Sequence, residues 1–304
     1  MGGASAPIRV IMPRNRCDRV RRPKGAVVAA VAIGGMSVCP IITPAAPACA
    51  SFHDVAIEQV IGGVDGDTSS QAIQLRIRFP TDNQFQYARL RAWDAAGQNP
   101  ITIIDFNSAT PNGALGDRVL IASENFHAHL DSPLASDFTM TNLIPASYLA
   151  AGRLTYENGD GTIYWSLSYG GSAYTGPTIG SMINDDDGDF GPPFDGPLPT
   201  SDTRGLLFQG SATDESTTNF DDYALTPGPA VFTNNAGQSA AVVPCPVAID
   251  PIAGTDLKDF ALLQNCLSEP PGVIATCCEA ADINDDLTVD LDDYGFLFDD
   301  LIGP

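Results

Sequence analysis

Between residues 51 and 240, hydrophobic and polar residues alternate in short runs, and no stretch keeps a helical period. A period of two places alternate side chains on opposite faces of an extended chain, so these runs predict β-strands. In Gln71–Phe79 the residues Ile73, Leu75, Ile77 and Phe79 face one side and Gln74, Arg76 and Arg78 the other, the pattern of a half-buried strand. Gln86–Trp93 repeats it with Arg89 and Arg91 outward. The connecting Pro80-Thr-Asp-Asn83 is turn chemistry, so these two strands are expected to pair antiparallel. The clearest hairpin joins Arg153–Glu157 to Gly161–Tyr169 through Asn158-Gly-Asp-Gly161, with Ile163, Trp165 and Leu167 as core bulk. Short strands punctuated by glycine, proline, asparagine and aspartate point to an all-β sandwich or barrel. About 190 residues of this kind can bury a sizeable core as one domain.

The period changes towards the C-terminus. A tract from Thr226 to Pro246, rich in proline, alanine and small polar residues, precedes two stripes at three-to-four spacing: Leu257, Phe260, Leu263 and Leu267, then Leu291, Tyr294, Phe298 and Leu301. That spacing puts each stripe on one face of a helix. Neither helix can bury its face alone, so the two are expected to pack together. Ahead of the second stripe runs Asp282-Ile-Asn-Asp-Asp-Leu-Thr-Val-Asp-Leu-Asp-Asp293. Asp282, Asn284, Asp286, Thr288, Asp290 and Asp293 occupy positions 1, 3, 5, 7, 9 and 12, the ligand spacing of an EF-hand loop. Calcium takes six to eight oxygens, and such a loop turns alternate side chains, with the backbone carbonyl at position 7, towards one point. Val289 is the usual apolar residue at position 8. Two positions depart from the pattern: Leu287 stands where glycine makes the sharp turn, and Asp293 where a bidentate glutamate closes the site.

An internal repeat accompanies the loop. A shift of thirty-four residues lays Asp256-Leu-Lys-Asp259-Phe260 on Asp290-Leu-Asp-Asp293-Tyr294. In the first copy positions 1 and 5 fall on Ala248 and Ile252, leaving Asp250, Asp256 and Asp259 as carboxylates, so it is expected to bind calcium weakly or not at all. The tandem loops over residues 245–304 resemble the type I dockerin family, whose loops also close on aspartate. The resemblance implies a small helical calcium-binding module and a cohesin-like partner. Recognition in that family leans on loop positions 10 and 11, often a hydroxyl pair. Here these are Leu291 and Asp292, and Leu257 and Lys258 in the first copy, which places a cohesin in question.

In the β-rich region, Ile57-Glu58-Gln-Val-Ile, Ala92-Trp-Asp-Ala-Ala-Gly97, Leu149-Ala-Ala-Gly152, Gly161-Thr-Ile-Tyr-Trp165 and Leu225-Thr-Pro-Gly228 are similar to a lamin-tail-like domain. This second resemblance implies an immunoglobulin-like sandwich in a non-catalytic adhesion or carbohydrate-associated role. The expected fold is thus mainly β, an immunoglobulin-like β-sandwich over residues 51–240, followed by a small α-helical dockerin or EF-hand-type module over 241–304.

Location is read from residues 1–50. A basic start with Arg9, Arg14, Arg16, Arg19, Arg21, Arg22 and Lys24, the apolar run Gly25–Val38, and Ala48-Cys49-Ala50 make a secretory signal peptide with Ser51 as the first mature residue. The apolar run is too short for a membrane anchor, and no other segment is long enough to span a bilayer. Those residues hold seven of the fifteen basic residues and one of the thirty-seven acids, so the mature chain keeps eight against thirty-six, a formal charge near −28. Such a charge excludes nucleic acid as a partner and suits a calcium-bearing secreted or cell-surface protein. Four cysteines remain, Cys245, Cys266, Cys277 and Cys278, all in the C-terminal module. An even number in a small exported unit reads as disulfide stapling. A vicinal bridge is strained, so Cys245 and Cys266 are expected to pair separately with Cys277 and Cys278, in either order.

The remaining chemistry is sparse. No nucleophile elbow, H-E-x-x-H helix or P-loop occurs. His127 and His129 would share a strand face and form at most half a metal site, and His53 carries no signal. Glu58, Glu124 and Glu157 are among the glutamates a glycosidase pair could draw on. Asp185-x-Asp187-x-Asp189, in a glycine-rich loop, is a second candidate for calcium. Arg76, Arg78, Arg89 and Arg91 make half of the mature basic residues, a candidate face for an anionic polysaccharide or partner. These features favour a secreted non-enzymatic structural or binding protein whose calcium-stabilised tail docks it to a partner or cell surface. The alternative is a polysaccharide-degrading or glycan-binding component carrying the same tail.

Overall fold

The computed structural model describes residues 51–244, then 263, 266, 267, 278, 281–284, 286 and 288–302. The expected signal peptide, the first loop copy, Cys245 and Cys277 lie outside the described residues. Twelve strands follow in chain order: β1 (Val55–Ile61), β2 (Ala72–Ile77), β3 (Ala88–Trp93), β4 (Ile101–Asp105), β5 (Arg118–Ala122), β6 (Phe138–Thr139), β7 (Gly152–Asn158), β8 (Ile163–Tyr169), β9 (Leu206–Phe208), β10 (Tyr223–Leu225), β11 (Val231–Thr233) and β12 (Ser239–Ala241). They form a six-stranded sheet in the order β10-β9-β1-β2-β5-β6, a four-stranded sheet β4-β3-β7-β8, and the hairpin β11-β12. The mainly β expectation holds.

The two large sheets enclose one core. Ile57, Val60, Ile73, Leu75 and Ile77 from the first sheet join Leu90, Ala92, Leu154, Tyr156, Trp165 and Leu167 from the second. Trp165 sits at its centre, fully buried, with its indole N–H donating to the Tyr223 hydroxyl at 2.8 Å. The hairpin β7-β8 forms as the turn residues dictate. The Asn158 side-chain oxygen accepts the amides of Asp160 and Thr162, and Gly161 takes a φ of 87°, where a side chain would be strained.

Two expectations fail for β2. It pairs with β1 and β5, whereas β3 pairs with β4 and β7 in the other sheet, so the Pro80–Asn83 connection crosses between sheets. Nor is β2 half-buried: Gln74, Arg76 and Arg78 are all buried. A second apolar cluster of Ile61, Ala72, Leu120, Ala122, Phe126, Phe232 and Val242 covers part of the opposite face of the six-stranded sheet. The polar rest of that face is tied to the chain around residues 210–213, as the Arg76 guanidinium donates to the Gly210 and Ser211 carbonyls and that of Arg78 to Thr213. A sheet covered on both faces uses its polar residues inward.

In the C-terminal part a helix spans Leu291–Ile302. Val289 and Leu263 are buried with Ala281 and the Cys266–Cys278 disulfide, and Tyr294 packs against them. This bridge is one of the two pairings open to Cys266. Of the expected stripe only Tyr294 packs inward among the side chains described; Leu291 and Phe298 are exposed. Leu267 of the first stripe is exposed too. No helix among the described residues is long and apolar enough to cross a membrane.

Candidate metal centre

The run Asp282–Asp293 closes on itself through its carboxylates. Asp293, fully buried at the start of the helix, accepts the amides of Ile283 and Asn284 on Oδ1, at 2.7 and 3.2 Å, and that of Asp290 on Oδ2, at 2.9 Å. Position 12 therefore ties back to positions 2, 3 and 9. Asp282 Oδ1 accepts the Asp286 amide at 3.0 Å, and the Asn284 side-chain oxygen accepts it at 2.9 Å. Asp286 in turn accepts the amide and hydroxyl of Thr288, and that hydroxyl bond leads the causes holding its carboxyl below the usual range. Alternate side chains fold back onto amides a few residues on because short aspartate and asparagine side chains reach just that far.

Metal ions need oxygens collected around a point. Among the described residues the one group of three acids, histidines or cysteines with ligand atoms within 4.8 Å of one another is Asp185, Asp186 and Asp187. Asp282, Asp286, Asp290 and Asp293 are close-set along one loop, and each has a carboxylate oxygen that accepts a backbone amide. All six candidate ligands offer hard oxygens, which suits calcium.

The loop at residues 184–191 differs in kind. Asn184 is fully buried and anchors it: its side-chain amide donates to the carbonyls of His53 and Tyr164, and its oxygen accepts from Arg78. Asp185 is 1% exposed. Burial pushes its carboxyl up to about 6, against two backbone bonds that lower it, and the charges of Asp186 and Asp187 add to the rise. The alternation pointed to Asp189 as the third member. Instead the Asp189 Oδ1 accepts from the Thr178 hydroxyl and the Gly191 amide.

The arginines do not share a face. Arg76 and Arg118 bind the buried Glu58 at 2.9 and 2.8 Å in the six-stranded sheet. Arg89 and Arg91 bind the buried Glu157 at 2.5 and 3.1 Å in the four-stranded sheet. The anionic-ligand face is thereby corrected to two internal charge clusters. A register irregularity in β1 between Ile57 and Gln59 coincides with Glu58, the kind of bulge that re-aims a side chain, and Gln74 also donates to that carboxylate. Glu124 is exposed.

His127 and His129 lie in a 3-10 helix, Asn125–His129, not on a strand. His129 is buried with Nε2 3.7 Å from Asp67, while His127 is exposed beside the Leu134 carbonyl. Burial lowers the His129 pKa, against the opposing charge of Asp67. The shared strand face expected for them fails because three-fold turns separate residues two apart.

Asp82 gave no signal in the sequence. It is fully buried, and burial, then the charge of Asp54, push its carboxyl up to about 7. Its Oδ2 accepts the Asp54 amide at 2.7 Å, and its Oδ1 has no hydrogen-bond partner. A carboxyl with a folded pKa raised from 3.8 stabilises the fold fully below that value, and the contribution is lost as pH rises through about 7. Asp82→Asn, which cannot ionise, is therefore expected to exceed the wild type in stability at pH 8 by on the order of 2–4 kcal/mol. The gain should vanish near pH 3.5. Urea unfolding at both values checks it, and an equal change at both would contradict the buried-acid account.

Neither a protein-family model nor a curated protein sequence matches the chain.

Proposed function

We propose that the chain is a secreted, non-catalytic structural or binding protein in which an immunoglobulin-like, lamin-tail-like sandwich is held to a partner or cell surface by a calcium-stabilised, dockerin-like tail. The observation that carries this reading is the closure of the Asp282–Asp293 loop onto its own amides, directly ahead of a helix and against a small disulfide-bearing cluster. Asp282, Asn284, Asp286, Asp290 and Asp293, with the Thr288 carbonyl, would hold the ion. Bound calcium would share the carboxylate oxygens already folded along the loop and stiffen the entry to the helix. Leu291 and Phe298 on that helix are 73% and 43% exposed, apolar surface of the sort that marks contact sites. Leu291 and Asp292 lack the hydroxyls a cohesin reads, so the partner proposed is a cell-surface component rather than a cohesin of the usual kind.

The non-catalytic part of the reading rests on the glutamates. Glu58 and Glu157 are each clamped by two arginines in different sheets, and a glycosidase needs two carboxyls across one bond, about 5–9.5 Å apart. Residues 51–304, purified and offered a panel of neutral and anionic polysaccharides, are expected to release no reducing ends. On surfaces that retain the protein, retention should need calcium and fall at least tenfold with Asp282→Ala. Turnover of any glycan, lost with Glu124→Gln or Glu215→Gln, would overturn the proposal in favour of the degrading enzyme.

A further inference from the structure

We propose that the loop carrying Asp185, Asp186 and Asp187 is a second calcium site, built into the β-rich part of the chain and independent of the C-terminal loop. The three side chains each place a ligand oxygen within 4.8 Å of the other two. Oxygens held this close can share one calcium ion, whose ligands stand about 2.3–2.6 Å from it.

A second observation separates this group from an ordinary acidic turn. Asp185 is buried, its Oδ1 accepts the Gly188 amide at 2.6 Å and the Asp187 amide at 3.2 Å, and its Oδ2, equally buried, has no hydrogen-bond partner. A buried carboxylate oxygen left without a donor is rare in a folded protein and asks for a water or an ion. The charges that act on Asp185 are those of Asp186 and Asp187, both negative, so an added cation relieves all three.

The frame is rigid. Asn184 ties the loop to residues 53, 78 and 164, the Ser216 amide donates to the Asn184 carbonyl at 2.8 Å, and the Asp186 amide donates to that of Ser216 at 3.2 Å. Gly188 adopts a φ of 88°, the left-handed turn that brings its amide back to Asp185. Asp186 and Asp187 are exposed. Water therefore completes the shell on their side, as it does in calcium sites built from few carboxylates.

The test is a calcium titration by calorimetry of residues 51–304 carrying Asp282→Ala. One equivalent of calcium should still bind, and adding Asp185→Asn should remove it. Asp185→Asn keeps the Oδ1 acceptor that the turn uses. Because a buried change can disturb folding, the exposed pair Asp186→Asn and Asp187→Asn is measured on the same background and should weaken binding at least tenfold. Failure of the tail to take calcium would leave the parent and the Asp282→Ala protein binding alike, one equivalent each, with the β-loop site intact. No calcium heat from the Asp282→Ala protein, or equal binding after both the Asp185 and the paired changes, would overturn the proposal.

Discussion

Replacing Glu58 by alanine is expected to cost about 3–5 kcal/mol of stability, because it strands the buried Arg76 guanidinium without its counter-charge. Glu58 is 2% exposed and holds Arg76, itself 7% exposed, together with Arg118 and the Gln74 amide. Removal of a shared carboxylate differs from removal of a surface partner, where double-mutant measurements give under about 1 kcal/mol. The position also matters: β1 lies at the centre of the six-stranded sheet, so a disturbance there reaches both neighbours, β2 and β9. Glu58→Gln keeps one acceptor and should lose less than the alanine variant. Urea unfolding followed by tryptophan emission reads the change through Trp165. A loss below about 1 kcal/mol for Glu58→Ala would mean that the arginines find other acceptors or water.

The second large effect is local. Asp293→Ala removes the acceptor for three amides at once, on Ile283, Asn284 and Asp290. Hydrogen bonds to a charged acceptor contribute about 1.5–3 kcal/mol each, and among the described residues the cluster beneath is Leu263, Cys266, Cys278, Ala281 and Val289, with Tyr294 against it. Hydrogen exchange at those three amides should approach the rate of an open chain while amides of β1 and β2 stay protected. Unchanged protection at Ile283 and Asn284 would show that the loop is held from elsewhere.

How far the fold was legible follows from what periodicity encodes. The β7-β8 hairpin could be read because Asn158 and Gly161 specify the turn locally, and β3 because its pattern of buried Ala88, Leu90 and Ala92 survives in the structure. Alternation says which side chains share a face, not which strand lies alongside. β2 and β3 therefore looked like neighbours when their apolar faces meet across the core from opposite sheets. The burial of Arg76 and Arg78 could not be read either. It depends on Glu58 in the neighbouring strand and on carbonyls more than 130 residues away.

The metal-binding candidates were legible to different degrees. The Asp282–Asp293 spacing predicted side chains turned towards one point; the carboxylates fold back along the loop onto its amides. At the earlier loop the alternation named Asp185, Asp187 and Asp189, whereas the structure groups Asp185, Asp186 and Asp187. Gly188 turns the chain so that Asp186 joins the group, and Asp189 is engaged by Thr178. Asp82, buried and far from any acidic run, left no trace in the pattern; only the approach of residues 51–54 to residues 81–84 explains it.

The most direct test of the proposed calcium-stabilised tail is a calcium titration of residues 51–304 carrying Asp185→Asn, so that uptake reports the C-terminal loop alone. One equivalent should bind, with an affinity in the range of extracellular modules, Kd about 10⁻⁴–10⁻³ M, since Leu287 occupies the turn position that glycine fills in tighter loops. Uptake should slow hydrogen exchange across Ile283–Asp293 and disappear with Asp282→Ala. No heat and no change in exchange at 10 mM calcium, about ten times the weakest affinity of such modules, would contradict the account.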